Sequence, residues 1–112
     1  MPFNTQPPYN VVLSVDETAS RDFNIDYTNN TGRTMFVTIT TNFTTPNAGE
    51  VARITGWAGG AQKGVVGITG GIAGLAIQCE QNLVVKPGEV YKSNKVITGA
   101  ATATLVKWIE TY

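Results

Sequence analysis

Any catalytic reading of this chain begins without histidine, since its 112 residues contain none. The commonest general base is therefore absent, and neither a Ser-His-Asp nor a Cys-His arrangement can be assembled. The single cysteine, Cys79, is followed by Glu80 and has no adjacent cation in sequence to lower its pKa. It reads as a small buried hydrophobe. Asp and Glu together number 8, so paired carboxylates for glycoside hydrolysis are available, but no spacing selects two of them. Asp22-Phe23-Asn24-Ile25-Asp26 begins like a calcium loop. The likeness ends at Tyr27, where such a loop requires Gly, and at Arg33, where it requires Glu. The three polar side chains then read as one face of a strand. Gly59-Gly60-Ala61-Gln62-Lys63-Gly64 lacks the Gly-Lys-Ser/Thr ending of a phosphate loop. One Cys without His leaves almost no route to a structural zinc site. The expectation is a protein with no catalytic residue, no metal site and no cofactor.

Aromatic residues offer a different chemistry. Trp57, Trp108, Tyr9, Tyr91 and Tyr112 are candidates for a sugar-stacking surface, although aromatics in a small β-domain more often fill cores or subunit interfaces. Trp57, beside the Gly59-Gly60 pair, is the candidate ligand-facing ring. Net charge is zero and the sequence pI is near 6.1. The cations are scattered, which argues against nucleic acid as partner. The first ten residues hold no basic region and no apolar run, so they are not a secretion signal. Synthesis and folding in a cytoplasm are expected. The sequons Asn29-Asn30-Thr31 and Asn42-Phe43-Thr44 then read as turn chemistry and not as glycosylation sites.

The elements that must position these residues are strands. Charged residues make up only 14% of the chain, so surface polarity comes from Thr, Asn, Ser and Gln, which suit sheets. Residues 1–10, with Pro2, Pro7 and Pro8, form an extended N-terminal arm, and 11–112 form a single domain. Val11 to Asp16 is a first strand with Val11, Leu13 and Val15 on one face. Phe23, Ile25 and Tyr27 alternate with polar residues, as do Met35, Val37 and Ile39, and Asn29-Asn30-Thr31-Gly32 lies between them. This predicts a β-hairpin. Thr40 to Gly49 reads as a loop and Glu50 to Trp57 as a strand. The latter carries Val51, Arg53, Thr55 and Trp57 on one side and Ala52 and Ile54 on the other. Trp57 to Gln62 reads as a flexible turn.

Gly64 to Cys79 contains no charged residue. It is too short and too rich in Gly to span a membrane, and it reads as two buried strands around Gly70-Gly71. Val65, Val66, Ile68, Ile72, Leu75 and Ile77 would line the core or an oligomer interface, because small residues permit close backbone approach, as at a symmetry axis. Leu83 to Val85 is a short strand ending in a Lys86-Pro87-Gly88 turn. Glu89 to Ser93 and Ala100 to Tyr112 are the last strands. Seven or eight short antiparallel strands without a helix predict an all-β sandwich, jelly-roll-like.

Three segments occur in order: Tyr27-Thr-Asn-Asn-Thr-Gly-Arg-Thr-Met-Phe-Val, then Leu83-Val-Val-Lys-Pro-Gly-Glu-Val-Tyr-Lys-Ser, then Leu105-Val-Lys-Trp-Ile-Glu-Thr-Tyr. Together they resemble the small trimeric β-knob domains of tailed-bacteriophage virion proteins, found at the tips of tail fibres and needles. The resemblance implies a homotrimer with a tumour-necrosis-factor-like jelly roll, located in the virion beside other phage virion proteins. It also implies a structural or host-recognition role without catalysis. Such knobs usually end a long fibre, whereas here no shaft precedes the domain. That favours a stand-alone component, a capsid decoration protein or separate tip subunit, attached by its own surface or its arm. The alternative is a carbohydrate- or receptor-binding module of the adsorption apparatus, with a host surface glycan as partner.

Overall fold

The structure is a computed structural model and describes residues 12–112. The arm expected at 1–10, Val11 of the first expected strand, and Tyr9 lie outside the described residues. Eight strands follow one another: β1 (Ser14–Asp16), β2 (Tyr27–Thr28), β3 (Met35–Thr45), β4 (Ala52–Ala58), β5 (Ala61–Ile68), β6 (Leu75–Val85), β7 (Val90–Ile97) and β8 (Thr102–Thr111). A 3-10 turn at Thr18–Ser20 is the single helical element among the described residues, and no helix is long and apolar enough to cross a membrane.

The strands form two four-stranded antiparallel sheets, ordered β1-β8-β3-β6 and β2-β7-β4-β5. The first strand pairs with the eighth, the second with the seventh, the third with the sixth and the fourth with the fifth. This nested order is a jelly roll, as the alternation and turn spacing predict. Inward side chains of both sheets share one core, including Val37, Ile39, Phe43, Ile54, Leu83, Val85, Tyr91 and Trp108. In β4 the burial alternates strictly, with Ala52, Ile54 and Ala58 inside and Arg53, Thr55 and Trp57 outside, matching the predicted faces.

Several local expectations need correction. Tyr27 to Ile39 is not a hairpin. β2 pairs with β7 in one sheet and β3 with β6 and β8 in the other, so the segment is a corner that crosses between sheets. Asn29 makes the corner. It is buried, and its amide nitrogen donates to the carbonyls of Arg33 at 2.8 Å and Val85 at 3.0 Å. Its side-chain oxygen accepts from the Thr31 backbone N–H at 3.1 Å and the Thr31 hydroxyl at 2.6 Å. Asn serves here as a surrogate for missing backbone partners. Its own backbone also exchanges bonds with the turn after β6: Asn29 N–H donates to Glu89 O at 2.9 Å and Gly88 N–H to Asn29 O at 2.8 Å.

Residues 22–26 are likewise no strand. Phe23 is buried while Ile25 is 46% exposed, and Asn24 has φ +64°. The expected loop from Thr40 to Gly49 is strand as far as Thr45. Thr41, Phe43 and Thr45 face the core while Asn42 is exposed, and the β-branched Thr fits that pleat. The Leu83–Val85 strand is the end of an 11-residue strand, and the Glu89–Ser93 strand runs on to Ile97. The turn expected at Trp57–Gln62 is tighter, with Gly59 and Gly60 at φ +62° and +80° forming a two-residue hairpin. The Gly64–Cys79 stretch supplies most of β5 and the start of β6, but these are not buried strands: they lie in different sheets at an edge of each and expose alternate residues. Of its glycines, only Gly67 meets backbone closely, and within the same chain: a methyl there would strike the Ala52 carbonyl, one at Gly71 would strike the Thr45 side chain, and Gly64, Gly70 and Gly74 have open space.

At the far end from the Asn29 corner, Glu50 clips two loops together. Its carboxylate accepts from Asn47 N–H at 2.8 Å, Asn47 Nδ2 at 3.2 Å and Ala100 N–H at 2.7 Å. The backbone bonds from Asn47 and Ala100 favour the charged form, outweigh the desolvation that opposes it, and with the Asn47 amide hold the Glu50 pKa below its ordinary 4.5. A depressed carboxylate pKa contributes stability above the unfolded value, and that stability is lost as pH falls through the folded value. The melting-temperature difference between wild type and Glu50→Gln is therefore expected to be full above pH 4.5 and to shrink on acidification below it. A difference that stays constant into acid would show that the Glu50 charge is not what holds the loops.

Candidate functional site

Two places bring polar and aromatic side chains together. The first is inside one end of the sandwich. Glu110, on β8, points inward beside Trp108 and is 3% exposed. A buried carboxylate is costly unless donors surround it. Here Arg21 donates from Nε to Oε2 at 3.0 Å and from Nη2 to Oε1 at 3.1 Å. Tyr91 Oη on β7 donates at 2.6 Å and Trp108 Nε1 at 3.0 Å, both to Oε2. Arg21 also reaches Glu17 at 3.3 Å and lies 4.6 Å from the centre of the Tyr27 ring. Tyr27 packs against Tyr91 and edge-on to Trp108, at 5.9 and 5.8 Å between centroids.

The electrostatics follow from that geometry. Burial works against the Arg21 charge, but the hydrogen bonds and charge of Glu110 outweigh it and raise the pKa above the ordinary arginine value. Burial, then the bond to Glu110 and its negative charge, push the Tyr91 phenol up as well. A cavity of about 340 Å³ opens beside the group, lined in part by Glu17, Arg21, Asn29, Tyr91 and Glu110. Glu110 has both oxygens committed to four donors, so what the arrangement does is join the sheets: β8 belongs to one and β7 to the other.

The second place is the solvent face of the sheet β2-β7-β4-β5. Trp57 stands on β4 with Lys92 of β7 and Gln62 of β5 as its register neighbours. The ring is part-buried, and its Nε1 is buried without an acceptor among the described residues. Lys92 Nζ lies 6.0 Å from the ring centroid and 3.7 Å from Asp26 Oδ1. Asp26, Trp57, Gly60, Val90 and Lys92 line a pocket of about 320 Å³.

The other aromatics proposed for a sugar surface go elsewhere: Trp108 and Tyr91 are fully buried, and Tyr112 packs against the core. Asp22, Asn24 and Asp26, which began like a calcium loop, do not converge. Asp22 accepts from Phe23 N–H, Asn24 from Lys95 N–H, and Asp26 pairs with Lys92. Among the described residues no group of three or more His, Cys, Asp or Glu is placed to hold a metal. Cys79 is free and part-buried at the margin of the core. Of the apolar residues singled out in the Gly-rich stretch, Ile68 is in the core and Val66, Leu75 and Ile77 pack at its margin. Val65 and Ile72 are 47% and 67% exposed.

Arg21 and Glu110 were not among the residues that the sequence marked. One signal was available for Glu110: period two puts it on the same face as Trp108 and Tyr112 in the last strand, which makes it an inward acid needing a partner. Nothing local marks Arg21 as that partner, 89 residues away.

No family model, curated protein or solved structure matches this chain. The fold by itself assigns no activity, because jelly rolls host capsid, lectin and enzyme functions alike.

Removing Glu110 leaves the Tyr91 phenol and the Trp108 indole N–H without an acceptor and strips Arg21 of its buried partner, with Glu17 at 3.3 Å as its remaining carboxylate. Glu110→Ala is expected to cost about 3–5 kcal/mol in urea unfolding, and Tyr91→Phe, which removes one donor to a charged acceptor, about 2 kcal/mol. Equal, small losses in both variants would show that the carboxylate is not holding the sheets together.

Proposed function

We propose that this chain is a non-enzymatic structural protein of a tailed-bacteriophage virion, a small oligomeric β-domain on the particle surface. Capsid decoration and the tail or fibre tip are the two locations consistent with the reading. The observation that carries it is convergence. The three segments that resemble phage knob domains lie up to 85 residues apart in sequence, yet their key residues meet at one end of the sandwich. Tyr27 of the first packs on Trp108 of the third. Asn29 of the first bonds Val85, Gly88 and Glu89 of the second. Tyr91 of the second and Trp108 of the third bond the same carboxylate. A likeness of short motifs gains weight when the motifs form one packed unit.

Support for the oligomer comes from the Gly-rich stretch. It provides most of β5 and part of β6, one edge strand of each sheet, and it leaves Val65 exposed on β5 and Ile72 exposed in the connection to β6. Open edges with apolar neighbours are surfaces that proteins normally cover, and a trimer of this chain would cover them. A second reading, a carbohydrate- or receptor-binding module, is favoured by the pocket around Trp57.

Light scattering on the purified protein at micromolar concentration is expected to give the mass of a trimer. Val65→Asp with Ile72→Asp is expected to give a monomer whose unfolding free energy changes by no more than about 0.5 kcal/mol per site, since both side chains are exposed in the single chain. A wild-type monomer would remove the oligomer from the proposal. Absence of the protein from mass spectra of purified phage particles encoding it would remove the virion.

A further inference from the structure

We propose that the pocket on the outer face of the β2-β7-β4-β5 sheet binds a neutral hexopyranose unit, with Trp57 as the stacking platform. The site belongs to the particle-surface reading only through the origin of the glycan; its chemistry stands on the pocket itself. A pyranose ring presents an apolar C–H face and a rim of hydroxyls that both donate and accept. It therefore needs a flat, polarisable surface flanked by groups of both kinds. Trp57 supplies the surface, in keeping with the way aromatic rings combine large apolar area with low conformational freedom. The ring is part-buried and seated on a central strand, between β5 and β7, the kind of regular element that positions a site better than a loop does.

The rim is also present. Asp26 offers carboxylate oxygens as acceptors and Lys92 an ammonium as donor, 3.7 Å from each other. Gln62, exposed on the opposite flank of Trp57, offers both. Val90, 44% exposed, extends the apolar floor. Gly60 adds no side chain to the lining, and a methyl there would meet nothing within 4 Å, so the mouth stays open to a ring with substituents. The pocket volume of about 320 Å³ lies at the small end of ligand sites, in the range suited to one sugar unit.

Charge chooses among sugars. One carboxylate and one ammonium leave the rim with no net charge, and Lys92 already has an anionic partner. A uronic acid or other anionic sugar would bring its carboxylate next to Asp26, which costs free energy, whereas hydroxyls can bond both groups without disturbing their pairing. The site therefore favours a neutral hexose over its acidic counterpart.

The test is an NMR titration of the full chain with methyl glucosides, galactosides and mannosides, methyl N-acetylglucosaminide and methyl glucuronide. The chain has two tryptophans, and Trp108 is fully buried, so its indole signal is an internal control. Expected is a saturable shift of the Trp57 indole and the Lys92 amide by at least one neutral sugar, with Kd near 1 mM (about −4 kcal/mol). The Trp108 indole stays in place. Trp57→Ala abolishes the shift of Lys92. Lys92→Ala, which removes the ammonium beside the Trp57 ring together with its pairing to Asp26, weakens binding several-fold while the Trp108 indole signal stays at its wild-type position. No saturable shift with any neutral sugar up to ~10 mM, ten times the Kd expected for a weak site, overturns the proposal. So does tighter binding of the glucuronide, or shifts that fall elsewhere on the surface. Light scattering and particle analysis decide the virion reading separately, so a failed titration and a monomeric protein are distinct results.

Discussion

A single carboxylate decides how the two sheets meet. Glu110 receives four hydrogen bonds from three side chains, and each donor comes from a different part of the fold: Arg21 from the segment after the 3-10 turn, Tyr91 from the opposite sheet, Trp108 from its own strand. Hydrophobic burial drives the sheets together, but it is non-directional and tolerates sliding. A buried charge does not, because an uncompensated ion in the interior costs several kcal/mol. The register of β7 over β8, and the position of the chain before β2, are therefore pinned at this point. Gln81 plays a milder version of the same part lower in the sandwich, accepting from Ser93 at 2.8 Å and donating to the Gly64 carbonyl at 3.2 Å.

Fixing the interior this way leaves the outer faces free to differ. The outside of β3 and its neighbours carries uncharged polar pairs, Thr38 with Asn82, Asn42 with Gln78 and Thr44 with Thr102, beside an exposed apolar pair, Phe36 opposite Val84, and Glu80 and Lys107 on either side of Thr40. The polar pairs solvate the sheet with few charges, which is how a chain with 14% charged residues keeps a polar surface. The outside of the other sheet carries Trp57, Lys92 and Arg53 in place of such pairs. Its polarity is concentrated around one ring and not spread evenly.

What the sequence made legible followed from periodicity. Alternation in residues 50–57 gave the right faces for β4, and the Pro87-Gly88 turn and the all-β sandwich were readable from residue types alone. Polar strands were harder. Thr40 to Thr45 reads as loop from its Thr and Asn content, although Thr is β-branched and Thr41, Phe43 and Thr45 share the inner face. The corner at Asn29 was harder still. Two alternating runs with a polar turn between them describe a hairpin and a sheet crossing equally well, because the choice of partner strand lies 50 or more residues away, as Asn29 to Val85 shows. Of the candidate site, Trp57 was legible from its place by the Gly pair. Lys92 and Asp26 were not, since they reach Trp57 only through the pairing of β7 with β4 and the loop before β2.

For strands paired in this nested way, loop-closure entropy favours one order of events in folding. β4 and β5 are joined by two glycines, so the loop that must close to pair them is minimal, while β1 and β8 lie almost a whole chain apart, as Ser14 and Thr111 show with a separation of 97 residues. Closing a loop costs more entropy the longer it is, though only logarithmically. Once β4 and β5 have met, β3 and β6 are already side by side, and the remaining loop for each outer pair is short. The chain can thus close like a zip from the Gly59-Gly60 turn outward. The long-range contacts that would otherwise make such a topology slow then form in succession, each at the cost of a small additional loop, with the Glu110 knot tied last.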